Sequence, residues 1–340
     1  MTKFNPIFIL SLFLILGTVS SCAKTCKEVS FTFFLNVYSN CTIERLVKSD
    51  HVPPHFDNET QVRSWDVVIN RQLSGRQLSG RLYRPNNIDH GLRVPILIFF
   101  HGGGFLVGSP FDRSAQNMLY RLSSMGKFVI LSVDYMLAPE SKIPIPYRNG
   151  DETLKWLALQ ATGNGNKKFK WLKDILDFDR VFIGGQSSGG NIAYNVAMRF
   201  QQKKLDGLRL GGLIMIHPYV LTVEALPSLM NANEGMRNNI TGLWPYVCPK
   251  TIGLNDTRVN PSLETNLQVL NPGKVLVCVA EKDPMIDAVK AFYDVLEKNV
   301  EKVEYYETFG KGHVFDNIFP NIVETYNLYE KIATFIELSQ

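Results

Sequence analysis

The segment Gly185-Gln186-Ser187-Ser188-Gly189 fits the pattern G-x-S-x-G. The apolar run Val181-Phe182-Ile183 precedes it, and a helical pattern from Asn191 to Gln202 follows. A serine on a tight turn between a strand and a helix presents its hydroxyl to substrate. The flanking glycines are needed because a side chain there would collide with neighbouring backbone. The amide ends of the following helix favour negative charge as it develops. Ser187 is therefore the expected nucleophile, with an inert Gly/Ser-rich turn as the bland alternative. A second glycine segment, His101-Gly102-Gly103-Gly104-Phe105, directly follows the apolar run Val94–Phe100. Backbone without side chains can approach a substrate and aim N–H groups at an oxyanion. The N–H groups of Gly103, Gly104 and Ser188 are the expected donors, and His101 is expected to be a structural residue of that loop. A phosphate-binding role is poorly supported, because the chain has no GxxxxGK[ST] and no GxGxxG follows this strand.

An activated serine needs a base and an acid to orient that base. In the chain order Ser…Asp…His, both must come later. Asp283, in Asp283-Pro284-Met285-Ile286-Asp287, follows the apolar run Val275–Ala280, and His313 follows the last strand-like segment. Each alone has a dull reading, Asp283 as a helix cap and His313 as a surface residue. Together, in order and each after a strand, they predict a triad of Ser187, Asp283 and His313. Asp287 competes with Asp283, which is preferred for lying nearer the strand end. Trp244, Tyr246 and Phe105 could line a pocket or simply pack in a core.

The elements that must position these residues read clearly from position 94 onward. The runs 94–100, 128–133, 181–183, 213–216, 275–280 and 303–307 are short and apolar, as buried parallel strands are. Helical patterns intervene at 150–159, 191–202, 288–298 and 318–338. Strands separated by helices imply an α/β architecture, a mostly parallel sheet covered on both faces. Residues 24–60 are expected to be irregular, and residues 222–265, rich in Asn and Pro, to form an insertion above the sheet. The pentapeptide Arg71-Gln72-Leu73-Ser74-Gly75 recurs at once as residues 76–80, and is expected to lengthen a hairpin loop. The 340 residues carry 36 basic and 32 acidic side chains, a net charge of +4 with no long basic run. Nucleic acid is therefore not an expected partner. The partner such chemistry needs is a small molecule, and nothing in the sequence signals an oligomeric state. No cofactor or metal is expected, because the cysteines and six histidines show no ligand spacing.

The amino terminus reads as a secretory signal peptide over residues 1–23. Lys3 supplies a positive start, Ile7–Leu16 an apolar core of ten residues, and small residues follow. Ten residues are short against the ~20 of a spanning helix, so no stable membrane span is expected after cleavage. Behind such a signal, the sequons at Asn40, Asn58, Asn239 and Asn255 become expected glycan sites. Cys26 and Cys41 could pair in an oxidising compartment, and Cys278 reads as a buried free thiol. Without a KDEL-type tail, the chain is expected to be secreted or delivered to a vacuole.

The assembled motifs resemble the hormone-sensitive-lipase-like branch of the α/β-hydrolases, and within it the plant carboxylesterases. The resemblance rests on His101–Phe105, on Asp134-Tyr135-Met136-Leu137-Ala138-Pro139-Glu140, on Gly185–Gly190 with Asn191-Ile192-Ala193, on Asp283–Asp287 and on Gly312-His313. It implies an α/β-hydrolase domain over 24–340, with 24–60 and 222–265 contributing a cap over the pocket. It also implies a serine hydrolase that cleaves a small-molecule ester of specialised metabolism through an acyl-serine. Some similar plant proteins are lyases or cyclases, alkaloid-forming ones among them, so acid–base chemistry on the same framework is the alternative. Similar hormone receptors have lost the histidine, and the presence of His313 argues against that role. Two residues depart from the family's pattern. Gln186 stands where Asp is usual, and Met136 where Arg is usual. The signal segment is a third departure, since similar enzymes are mostly cytosolic.

Overall fold

The computed structural model describes residues 25–338 apart from 74, 90, 204, 225 and 272. The expected signal segment, residues 1–23, lies outside the described residues. Three short strands, β1 (Val29–Phe31), β2 (Leu35–Val37) and β3 (Ile43–Arg45), form a small antiparallel sheet of their own. The stretch expected to be irregular is thus partly ordered. Strands of three residues are too short to show alternation.

The main sheet contains β4 (Phe56–Asp57), β5 (Val62–Leu73), β6 (Arg76–Pro85), β7 (Val94–Phe100), β8 (Val129–Val133), β9 (Leu176–Gln186), β10 (Leu210–Ile216), β11 (Lys274–Ala280) and β12 (Val303–Thr308). Its order is β12-β11-β10-β9-β7-β8-β6-β5-β4. The strands from β7 onward pair in parallel with one another, while β4, β5 and β6 add an antiparallel edge. The helices are α1 (Arg113–Ser124), α2 (Ile145–Thr162), α3 (Trp171–Ile175), α4 (Ser188–Lys203), α5 (Pro227–Met230), α6 (Glu234–Val247), α7 (Ile286–Asn299), α8 (Phe315–Ile318) and α9 (Val323–Glu337).

The uninterrupted apolar run of β7 has a simple cause. Ile96, Ile98 and Phe100 belong to the core shared with α2, α4 and α7, whereas Leu97 and Phe99 belong to the core shared with α1 and α9. Successive side chains point to opposite faces, and both faces are buried. Close packing of α2 on α4 needs Gly150, where a Cβ would stand 2.3 Å from Val196 Cγ2.

Two sequence expectations are corrected. The pentapeptide repeat does not lengthen a loop: Leu73 faces Arg76 across the hairpin, so the two copies extend β5 and β6 as strands. The helix expected over 318–338 is broken between α8 and α9 at Phe319–Ile322. Pro320 has no N–H and its ring clashes with the preceding turn. Within the insertion, α6 was hidden by its polar composition; the Asn233 side chain caps it by accepting from the Met236 N–H at 2.9 Å. No helix of the described residues is long and apolar enough to cross a membrane.

Candidate active site

The carboxyl ends of β7, β9, β10 and β11 and the loop after β12 converge at one rim. Ser187 follows the last residue of β9 and precedes α4, with a positive φ of 55°. A non-glycine residue holds that conformation only when its surroundings over-determine it. Here the Ser187 N–H donates to Ile216 O at 2.9 Å, and its carbonyl accepts from the Tyr219 N–H at 2.9 Å. The glycines of the motif are compelled by contact. A Cβ on Gly185 would lie 2.3 Å from Gly189 O, and one on Gly189 would lie 2.0 Å from Phe100 O.

Three side chains from distant positions meet here. His313 Nε2 is 2.9 Å from Ser187 Oγ, and His313 Nδ1 is 2.6 Å from Asp283 Oδ2. Asp283 is buried, and its other oxygen accepts from the Met285 N–H at 2.9 Å. Burial pushes the Asp283 carboxyl up, but the charge and hydrogen bond of His313 outweigh it and leave it below its ordinary value. Burial likewise pushes His313 down, yet the Asp283 charge and hydrogen bond leave it raised above the ordinary 6.5. Asp287 does not reach the histidine. Its Oδ2 accepts from the Ser228 N–H at 2.8 Å and so anchors α5.

The glycine loop lies against this triad. A Cβ on Gly102 would stand 3.4 Å from Ser187 Cβ. Gly103 has φ +109°, and its carbonyl accepts from the Leu106 and Val107 N–H groups, at 3.0 and 3.1 Å. Among the described residues, the N–H groups of Gly103 and Gly104 donate to no protein acceptor. Ser188, the first residue of α4, is buried beside them. His101 does not face the serine as a base. Its ring stacks on Tyr135 at 4.3 Å, and burial pushes it down to about 4, so it is neutral. The Tyr135 hydroxyl donates to His101 O at 3.0 Å and pins the loop.

Behind the triad lies a second polar group that the sequence did not announce. Gln186 Nε2 donates to both carboxylate oxygens of Asp316, at 2.9 and 2.8 Å, while Asn317 Nδ2 donates to Gln186 Oε1 at 2.7 Å. Tyr329 adds a hydroxyl to Asp316 Oδ2 at 3.2 Å. Asp316 is fully buried, and that burial raises its carboxyl to about 6. The departure at position 186 thus has a physical reason. An amide there can donate to Asp316, whereas an aspartate would set two buried carboxylates against each other. Because Gln186 precedes Ser187 and Asp316 follows His313, these bonds clamp the serine turn to the histidine loop. His217, buried at the end of β10, has no hydrogen bond on either ring nitrogen; burial pushes it down to about 3.

Serine and histidine open into a cavity of about 410 Å³. Its walls include Phe33, Phe34 and Val47 from the amino-terminal segment and Met236, Ile240 and Leu243 from α6. Two ties hold that segment down. Arg45 donates to Leu106 O at 2.8 Å and pairs with Glu140 at 2.7 Å, and Asn239 exchanges hydrogen bonds with the Thr32 backbone at 2.9 and 3.2 Å. A Cys26–Cys41 disulfide closes the small sheet, and Cys248 and Cys278 are free and buried. Trp244 and Phe105 are wholly buried core residues, and Tyr246 packs on Phe31. Met136 is buried, and its N–H donates to Asn149 Oδ1 at 2.8 Å. Of the expected glycan sites, Asn40, Asn58 and Asn255 are exposed, whereas the Asn239 amide is engaged with Thr32. Among the described residues no cluster of His, Cys, Asp or Glu could hold a metal ion.

A sheet of this order, with a serine turn after its central strand, defines an α/β-hydrolase, and comparison with known proteins agrees. The model of the alpha/beta hydrolase fold family matches residues 97–317. Probable carboxylesterase 2 of Arabidopsis thaliana is 33% identical over 319 residues, covering 92% of this chain and 98% of that protein. The 2-hydroxyisoflavanone dehydratase of Glycyrrhiza echinata is 33% identical over 330 residues, covering 93% and 99%. The crystal structure of EstE1, a thermostable carboxylesterase from a metagenomic library, superposes with a TM-score of 0.68 at 23% identity, covering 86% of this chain and 92% of that one. The chain belongs to the α/β-hydrolase family, in the branch that holds the plant carboxylesterases.

Proposed function

We propose that the protein is a carboxylesterase-type serine hydrolase acting on a small-molecule ester through an acyl-serine. The observation that carries this reading is the continuous line from Ser187 Oγ to His313 Nε2 and from His313 Nδ1 to Asp283, at 2.9 and 2.6 Å. Ser187 Oγ attacks the ester carbonyl while its proton passes to His313 Nε2. Asp283 fixes the imidazole tautomer and stabilises the imidazolium. The carbonyl oxygen becomes an oxyanion, received by the N–H groups of Gly103, Gly104 and Ser188. Each such donor contributes roughly 3–4 kcal/mol to the transition state. Collapse expels the alkoxide, which takes the proton from His313. Water, deprotonated by the same nitrogen, then releases the acid and restores Ser187. A short-chain nitrophenyl ester tests this reading. A burst with turnover, and a phosphonate adduct on Ser187 by mass spectrometry, are expected; no adduct and no turnover would sink it.

One observation favours a second reading. The likeness to the Glycyrrhiza dehydratase is as high as that to probable carboxylesterase 2, at 33%. A lyase would use His313 and Ser187 for proton transfer alone, and would accept the phosphonate while turning over nitrophenyl esters poorly. The apolar start, the sequons and the Cys26–Cys41 bond support passage through the secretory pathway. A mass loss on endoglycosidase treatment of protein from a eukaryotic host tests that route.

A further inference from the structure

The wall of the substrate cavity carries a carboxylate whose buried oxygen has no hydrogen-bond donor. Asp112 occupies the N-cap of α1, a place where a carboxylate ordinarily accepts from the first helical N–H groups. It does not do so here. Its residue is nine-tenths buried, with 9% exposed, and it lines the same cavity as Ser187. Its Oδ1 is buried without a hydrogen-bond donor. The half-exposed His51 ring stands 3.5 Å from that oxygen, within ion-pair distance but beyond hydrogen-bond length. Arg113, next in the chain, is bound instead to Asp50 at 2.7 Å, and Lys48 lines an adjoining cleft that Asp112 also borders, without an ion pair between them. A second carboxylate, Asp134, lies within electrostatic reach and is bonded by Ser109 Oγ at 3.1 Å.

An unpaired buried acceptor costs stability unless something supplies a donor. The amide end of α1 favours the negative charge there without bonding it. The remaining walls are largely apolar, with Phe33, Phe34, Phe99 and Met118 among them, and His101 is neutral. A cavity with largely apolar walls and a carboxylate that lacks a hydrogen-bond donor complements an apolar body bearing one protonated nitrogen.

We propose that Asp112 anchors a protonated amine on the substrate, so that the pocket selects amine-bearing esters over neutral ones of the same shape. The proposal rests on the hydrolase reading for the word ester, but not for the recognition. The test uses the full chain with Ser187→Ala, which binds without turnover. Two ligands of one shape are titrated by calorimetry at neutral pH: 2-(dimethylamino)ethyl benzoate, protonated, and 3-methylbutyl benzoate, neutral. The amine is expected to bind about tenfold or more tightly, the scale of a charge-assisted hydrogen bond. Adding Asp112→Asn is expected to cut that preference to about twofold or less. Equal binding by the two ligands, or a preference that survives Asp112→Asn, overturns the proposal. If the double variant does not fold, the preference of Ser187→Ala decides alone. Turnover of either ester by the unsubstituted chain is measured alongside. Its absence would count against the hydrolase reading and leave the binding comparison intact.

Discussion

Gly103→Ala puts the oxyanion loop to a quantitative test. Gly103 has φ +109°, a conformation that costs an L side chain on the order of 1–3 kcal/mol. A Cβ there would also sit 2.1 Å from Val107 O and 2.9 Å from Val107 C, both backbone atoms. Neither can rotate aside, so the turn held by the bonds from Leu106 and Val107 to Gly103 O must open by about 1 Å. A shift of that size takes an N–H donor out of reach of the oxyanion. Loss of one donor costs about 10²–10³ in kcat, so the variant is expected to fall by at least about 100-fold. Gly104→Ala is the internal control. Its φ of +61° is also left-handed, but its Cβ meets Leu243 and Phe34 at 3.4 Å, ordinary contact. It should cost about 1 kcal/mol of strain and reduce kcat less than about tenfold. The assay is nitrophenyl-ester turnover with thermal unfolding followed by circular dichroism. A Gly103→Ala protein with native melting and kcat within about fivefold of the parent would refute the oxyanion assignment.

Other expectations follow from the same geometry. Gln186→Asp should lose most activity and stability by placing two carboxylates together, and Asp316→Asn on that background should restore both; thermal melts and turnover of the three variants decide it, and no rescue would deny the clamp. The acid limb of kcat/KM should lie above pH 6.5, because His313 is raised by Asp283 and must be neutral to accept the proton. Asp283→Asn should move that limb below 6.5, since burial, the largest effect, is then opposed only by the Asp316 charge, and lower kcat by about 10³–10⁴. The linkage to stability has two signs. The raised His313 stabilises the fold below pH 6.5, and this is lost as pH rises through its folded value. The lowered Asp283 stabilises above pH 3.8, and this is lost as pH falls through its folded value. Cys26→Ser should raise KM more than it lowers kcat, because the loop of 15 residues that it opens carries Phe33 and Phe34; the unfolded chain's freedom gives an upper bound of about 3 kcal/mol.

Much of the framework was legible because its cause is local. β7 runs over Val94–Phe100, the same residues as the apolar run, since a strand buried on both faces has no polar position to blur its ends. The serine turn was legible because Gly185 and Gly189 are forced by backbone contact. Helix α1 escaped notice because its stripe is interrupted by Gln116, a polar residue buried in the helix. The bond between Gln186 and Asp316 joins residues 130 apart, and no spacing rule reaches that far. Choosing Asp283 over Asp287 depended on chain position, and the distinction in space is the Ser228 bond that occupies Asp287. The surroundings of Asp112 are legible only in three dimensions, because the helix that it precedes was not read from the sequence.

The pocket is walled by β1–β3 with their connecting turns on one side and by α6 on the other, the two joined by Asn239 and Thr32. The first of these emerges early from the ribosome and must wait for the second, about two hundred residues later in the chain. A nascent product that ends before α6 therefore leaves its serine uncovered, and lacks β11 and β12 as well. Both walls are made by Val247, before Asp283 and His313 exist, so in the order of synthesis the shelter over the serine is complete before the groups that activate it.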